Sequence, residues 1–308
     1  MITILRCQFI TIIAILISIA FLTLVERKLL GFAQARKGPN KVRYGGILQP
    51  IADAMKLFTK KILIPRSSNY IIFNLAPTGF LFLSLTLWIL IPIRAILIII
   101  KYGIIFFFCV SRLNIYAIIG TRWRSNSKYS LLGALRSLAQ IISYEVTIAL
   151  IIISILFFVK RFNFQLSYKR INFIEIFIII IIFFFWIICL LAELNRAPFD
   201  LTEGERELVS GFNTEYGGGL FAFIFIAEYI NIIFLRTLTR VFIITSLYGV
   251  FYLSAVFISI KTIGVRLLII LIRASFPRIR YDILIVFNWQ VILPILLILL
   301  VYIFSIAL

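Results

Sequence analysis

The chain has 308 residues, 63% of them hydrophobic and 14% charged, with a mean hydropathy of +1.12. Soluble domains carry about 25% charged residues, so a soluble globular protein is excluded. The formal charge of +19 does not point to nucleic acid, because no basic tail accompanies it and the cations lie between apolar runs, as topology signals and lipid-headgroup contacts do.

Apolar runs of about 20 residues recur, enough to cross a hydrocarbon core as helices. They predict eight spans, at 4–25, 70–92, 97–120, 134–158, 173–192, 217–236, 256–273 and 284–306. The expected fold is all-α, a polytopic membrane helix bundle forming a single domain over 1–308. The first run has no small-residue cleavage site and leads into Glu26-Arg27-Lys28, so it reads as a retained span. The segment 240–256 is also apolar, but Gly249 and its crowded position favour a surface or re-entrant piece over a ninth span.

Eight spans put both termini on one side and the loops 26–69, 121–133, 193–216 and 274–283 on the other. With the span ends that join them, these loops hold 19 of the 31 lysines and arginines, which places them on the cytoplasmic or matrix side. Nine of the 12 acids fall there too. A rule that counts only Lys and Arg does not explain that excess of acids.

In the first loop, Gly38-Pro39-Asn40 and Gly45-Gly46 signal turns. Ile47, Leu48, Ile51, Met55, Leu57 and Phe58 then recur at near-helical spacing, interleaved with Asp53, Lys56 and Lys60. That pattern predicts an amphipathic interfacial helix, serving either as a surface anchor or as one wall for a ligand with a polar head and a lipid tail.

Glu145 lies inside the fourth span and Glu228 inside the sixth, each with a tyrosine beside it. Intramembrane acids are expensive and usually face the bundle interior, where they stay neutral or find a partner. The stretch 193–216 holds six of the 12 acids: Glu193, Asp200, Glu203, Glu205, Glu207 and Glu215. Asp200 and Glu203 have the spacing of a capping box. A helix starting there puts Glu203 and Glu207 on one face, where like charges repel unless Arg196 or Arg206 compensates or one acid holds its proton. The plain alternative is a solvated acidic loop answering the basic ones. Arg273, Arg278, Arg280 and Asp282 surround Pro277, ordinary for a span end.

Cys7, Cys109 and Cys189 have no CxxC spacing and there is no histidine. Neither a metal site nor a disulfide framework is supported, and any proton chemistry falls to carboxylates, lysine, tyrosine or water.

Taken together, TLVERKLLGFAQARKGPNKV, LQPIADAMKLFTK, RSNSKYSLLGALRSLAQIISYEV, AELNRAPFDLTEGERELVSGFNTEY and RASFPRIRYD resemble the family of subunit 1 of the proton-pumping NADH:quinone oxidoreductase, respiratory complex I. The motifs run in the family's order from about residue 20 to 285. The resemblance implies a membrane subunit that houses much of the ubiquinone tunnel and begins a charged path to antiporter-like subunits. On the family pattern, Glu145, Glu193, Asp200, Glu203, Glu205, Glu207 and Glu228 are the proton-path residues. Arg27, Arg36, Asp53, Arg196, Phe199 and Arg273 match positions near the tunnel or its mouth. It further implies that this chain alone has no catalytic residue and binds no cofactor or metal. NADH, FMN and iron–sulfur clusters belong to partner subunits, and ubiquinone is the substrate. Expected partners are hydrophilic quinone-module subunits, small membrane subunits, antiporter-like subunits and membrane lipids, with no nucleic acid. The excess of Ile and Phe is what an A+T-rich organellar genome produces, and it favours a multi-pass protein of the mitochondrial inner membrane.

The chain departs from the family pattern at several places. Arg206 separates Glu205 and Glu207 where a small residue is usual. Lys61 replaces an acid, Arg43 a glycine and Arg124 a small residue. Gly217-Gly218-Gly219-Leu220 lacks a proline, and Ile283 stands for a glutamine. Other readings of the residues are a standalone cation or proton transporter, a membrane anchor of a related hydrogenase, and a scaffold without transport. The first would show inverted repeats, which the sequence lacks.

Overall fold

The structure, a computed structural model, describes residues 2–61, 65, 69–90, 102–123, 128–159, 173–200, 216–239 and 255–307. Its helices are α1 (Ile2–Ala33), α2 (Gln49–Thr59), α3 (Tyr70–Thr86), α4 (Gly103–Trp123), α5 (Lys128–Val159), α6 (Phe173–Glu193), α7 (Gly218–Thr239), α8 (Ala255–Ser275), α9 (Tyr281–Phe287) and α10 (Leu293–Ala307). Among the described residues there is no strand. Six helical stretches are long and apolar enough to cross a membrane by length and composition, and Phe177–Glu193 is a shorter apolar helix. The chain is a multi-pass helical membrane protein.

The described part of each predicted span falls on a helix, but several ends move. The first helix runs on to Ala33, so Glu26, Arg27 and Lys28 are helical and not in a loop. The fourth predicted span starts at Lys128, six residues early, which turns most of the expected loop 121–133 into helix. Polar side chains mislead a hydropathy reading at such ends, since a polar residue stays helical where the bundle supplies its partners. The last span is α9 and α10 joined through a π-helical turn, Asn288–Ile292. Asn288 is buried there and donates from Nδ2 to the Ser143 carbonyl at 2.8 Å. Most of 240–256 lies outside the described residues.

The central element is α7. It packs against α3, α2, α1 and α8, and is buried on nearly every side. A helix apolar all round belongs inside a bundle. One core joins α4, α5, α6, α7 and the last helices through Phe107, Ile151, Ile182, Trp186, Phe234 and Ile292. A second seals α3 to α7, where the rings of Phe73 and Tyr216 stack at 4.3 Å. A third joins α1 to α7 through Ile15, Ile19, Leu22 and Ile233. The outer faces of α1, α6 and α10 expose Ile17, Phe21, Phe184, Ile298 and Val301, as a hydrocarbon solvent allows.

The predicted amphipathic helix is α2. It lies against α1 and α7, with the Phe58 ring 6.4 Å from that of Phe223, and exposes Ile51, Met55 and part of Phe58. The turn before it needs glycine at Gly46: φ is 74°, and an added Cβ would run into the Pro39 carbonyl oxygen.

Candidate functional site

The site begins at a helix end. After Glu193, Asn195 adopts φ 48°, while its N–H donates to the Ala192 carbonyl at 3.3 Å and the Arg196 N–H donates to that of Leu191 at 3.4 Å. This is a Schellman close with asparagine in the left-handed position, which suits asparagine better than most residues. It turns the chain back into the bundle. Arg196 then lies with its guanidinium carbon 4.7 Å from the centre of the Tyr229 ring.

Glu26 of α1 is the focus. Its Oε2 accepts from the Tyr229 hydroxyl at 2.9 Å and from Arg196 Nη1 at 3.3 Å. Arg273 of α8 approaches the same oxygen at 3.7 Å, and Arg236 of α7 lies 3.8 Å from Oε1. Tyr229 and Arg236 are seven residues apart, two helical turns, and so share a face of α7. Burial opposes the charge of Arg196, but the oxygens of Tyr229 and Glu26 more than offset it and hold the guanidinium in its charged form to unusually high pH.

Beside this cluster lies a cavity of about 290 Å³. Glu26, Arg27, Arg122, Glu193, Asn195, Arg196, Glu228, Tyr229, Asn231 and Arg273 line it, with Phe80, Ile118 and Phe225 as apolar wall. A smaller cavity of about 60 Å³ continues from it. Glu193, Leu194, Asn231 and Ile118 border both, and Ser111 and Asn114 line the far part. Ser111 donates to Glu145 Oε1 at 3.5 Å, and Arg112 Nε sits 3.4 Å from the same oxygen. Carboxylates 228, 193 and 145 thus lie along one run of polar side chains through the bundle. The Glu193 Oε2, Asn114 Oδ1 and Asn231 Oδ1 atoms are buried with no hydrogen-bond partner among the described residues.

Of the residues singled out in the sequence, Arg27, Glu193, Arg196, Glu228 and Arg273 meet at the main cavity. Asp53 is one contact away: its Oδ2 takes Arg27 Nη1 at 2.7 Å, and its Oδ1 accepts from Gln49 Nε2 at 2.9 Å. Phe199 is buried and its ring packs 6.5 Å from that of Tyr144, in the core behind the site. Asp200 pairs with Arg278 at 3.3 Å, and the Ile279 N–H donates to the Pro198 carbonyl at 3.1 Å, so the two loops are tied together. Arg36 is exposed and donates to Gln34 Oε1. Glu203, Glu205, Glu207 and Arg206 lie outside the described residues.

Sequence reading missed Glu26, Arg122, Asn231 and Arg236 as site residues. Arg236 carried a usable signal, a cation inside an apolar run (IIFLRTLT). Glu26 looked like an ordinary polar span end. Only the tertiary packing shows that three cations reach it.

A family model described as NADH dehydrogenase matches residues 7–304. The chain is similar to proteins named NADH-ubiquinone oxidoreductase chain 1. It is 46% identical to that of Anopheles gambiae over 92% of this chain and 89% of that protein. For Emballonura alecto the identity is 48%, over 92% and 90%, and for Osphranter rufus 46%, over 96% and 94%.

Proposed function

The chain belongs to the NADH dehydrogenase family and is a subunit of NADH-ubiquinone oxidoreductase, respiratory complex I, and on that premise we propose that it forms much of the quinone-binding tunnel and the start of the carboxylate path that couples quinone reduction to proton translocation. The observation that carries the reading is the cavity in which Arg27, Arg196 and Arg273 meet Glu26, Glu193 and Glu228 at the edge of an apolar bundle. Its phenylalanine and isoleucine wall suits the body of a lipid-tailed molecule. Its guanidinium groups suit the oxygens of a reducible head group, which gain electron density as they are reduced.

In this reading α1 and α2 form the mouth, with the Arg27–Asp53 pair at the joint between them, and Arg36 and Phe199 act from the flanking chain. Electron arrival changes the charge facing Glu26 and its arginines. Glu228 and Glu193 respond by taking up or releasing protons, and Glu145 passes the change onward through the second cavity. Asp200, Glu203, Glu205 and Glu207 supply the entry of that path. NADH oxidation, FMN and the iron–sulfur clusters reside on partner subunits: hydrophilic quinone-module chains on the face of the acidic loop, small membrane subunits and antiporter-like subunits beyond Glu145. The segments 26–69, 121–133, 193–216 and 274–283, helix ends included, lie on the matrix side, and the membrane is the mitochondrial inner membrane.

The test compares two electron acceptors in intact complex carrying Arg273→Ala. NADH:ubiquinone activity falls about tenfold or more, while NADH:ferricyanide activity, which needs only the hydrophilic arm, is unchanged. Unchanged ubiquinone activity refutes the assignment, and equal loss in both assays indicates failed assembly instead.

A further inference from the structure

The last turn of α4 carries a cation that faces inward. Ser111, Asn114, Ile118 and Arg122 recur at helical spacing and share one face of the helix. That face borders both cavities: Ser111, Asn114 and Ile118 line the smaller, and Ile118 and Arg122 the larger. Arg122 is the penultimate residue of α4. An arginine at such an end ordinarily reaches outward to solvent or headgroups. Here Arg122 is 3% exposed, while Trp123 beside it is 61% exposed.

The backbone accounts for this placement. The Ser130 hydroxyl, at the start of α5, donates to the Arg122 carbonyl at 2.8 Å, and the Tyr216 hydroxyl donates to the Thr121 carbonyl at 2.7 Å. The Tyr216 ring is itself stacked on Phe73 of α3. Three segments thus hold the end of α4 and satisfy carbonyls that a helix end leaves open. The other charged groups lining the larger cavity come from other elements: Glu26 and Arg27 from α1, Glu193 and Arg196 from the end of α6 and its turn, Glu228 from α7 and Arg273 from α8. Arg196 and Arg273 both engage Glu26, and Arg27 engages Asp53. Arg122 stands apart from that group on α4, which packs against α3 and α5.

We propose that Arg122 is a further head-group-binding residue, which holds the quinone oxygen that the Glu26 cluster does not reach. A quinone ring carries two carbonyl oxygens on opposite sides, and both gain electron density on reduction. The arginines around Glu26 serve one of them and Arg122 the other, so the ring is held at both ends and oriented before electrons arrive. The inference rests on the quinone reading of the cavity and adds to it a residue that acts from a separate wall.

The experiment uses the intact complex with decylubiquinone as acceptor. Arg122→Gln raises the KM for decylubiquinone about tenfold or more, with a smaller fall in kcat and unchanged NADH:ferricyanide activity. Arg122→Lys, which keeps the charge, recovers part of that KM. Equal KM values in the Gln and Lys variants overturn the proposal, because a loosened helix end would not distinguish them. Arg273→Ala is measured alongside. An unchanged KM in Arg122→Gln, with activity lost in Arg273→Ala, overturns the role of Arg122 alone, and unchanged activity in Arg273→Ala removes the quinone reading beneath it. A second measurement needs no substitution: a ubiquinone carrying an azide on its ring, irradiated in the unaltered complex, labels the 118–123 stretch of α4. Label confined to other segments or other subunits overturns the assignment, even where Arg122→Gln fails to assemble.

Discussion

At the scale of single residues, two positions hold energy in opposite senses. Arg43 sits at φ 57°, ψ −171°, a backbone region that favours glycine and costs a side chain about 1–3 kcal/mol. Arg43→Gly is expected to recover about 1 kcal/mol of that strain, less the entropy glycine gains when unfolded. Slower amide hydrogen exchange in the 40–46 turn would register it, and faster exchange would contradict it. Glu26 is the converse case. Its carboxylate compensates the buried Arg236 and the half-buried Arg196 and Arg273. Glu26→Gln keeps the shape but removes the carboxylate that the three cations share, at a cost of about 3–5 kcal/mol. The expected result is low yield of intact complex and a lower thermal midpoint. Undiminished stability would show that the cations find other partners.

At the scale of elements, the side chain of Gln140 ties α5 to the end of α6. The fully buried Gln140 donates from Nε2 to the Ala192 carbonyl at 2.7 Å and to that of Phe199 at 3.1 Å. It fixes both ends of the turn that delivers Glu193 and Arg196. Gln140→Leu preserves bulk, removes both bonds and leaves two buried carbonyls without that donor, so about 2 kcal/mol of local stability should go. Proteolysis within 194–200 should quicken, and the KM for quinone should rise more than kcat falls. A change in kcat alone would count against this account.

The helices themselves were legible in the sequence, because apolar runs of spanning length have few alternatives in a bilayer, and α2 was legible from its stripe. The gathering of Arg27, Glu193, Arg196, Glu228 and Arg273 at one cavity was anticipated only as a set of family positions. The sequence does not reveal the role of Gln140, since a glutamine inside an amphipathic-looking segment gives no sign of which carbonyls it will meet. Nor does it reveal the convergence on Glu26, which depends on side chains 170, 210 and 247 residues away and on the exact depth at which α7 and α8 cross α1.

At the scale of the whole molecule, the bundle carries two adjoining cavities, the larger lined by Glu26, Glu193 and Glu228 and the smaller sharing Glu193 with it and reaching Ser111, which donates to Glu145. If Glu228 serves that run as a titrating group, Glu228→Gln should assemble normally and oxidise NADH, yet move fewer protons per NADH, measured as acidification by sealed vesicles. Normal pumping would remove Glu228 from the path. The Glu26 cluster has one more consequence. Three guanidinium groups lie within 3.8 Å of the Glu26 carboxylate, and Glu193 and Glu228 line the cavity beside it. If that cavity receives the electron acceptor, as proposed, the guanidinium groups would stabilise the anion formed on reduction and make the acceptor more oxidising. A proton taken up by a neighbouring acid would strengthen the same effect, so electron and proton arrival would reinforce one another.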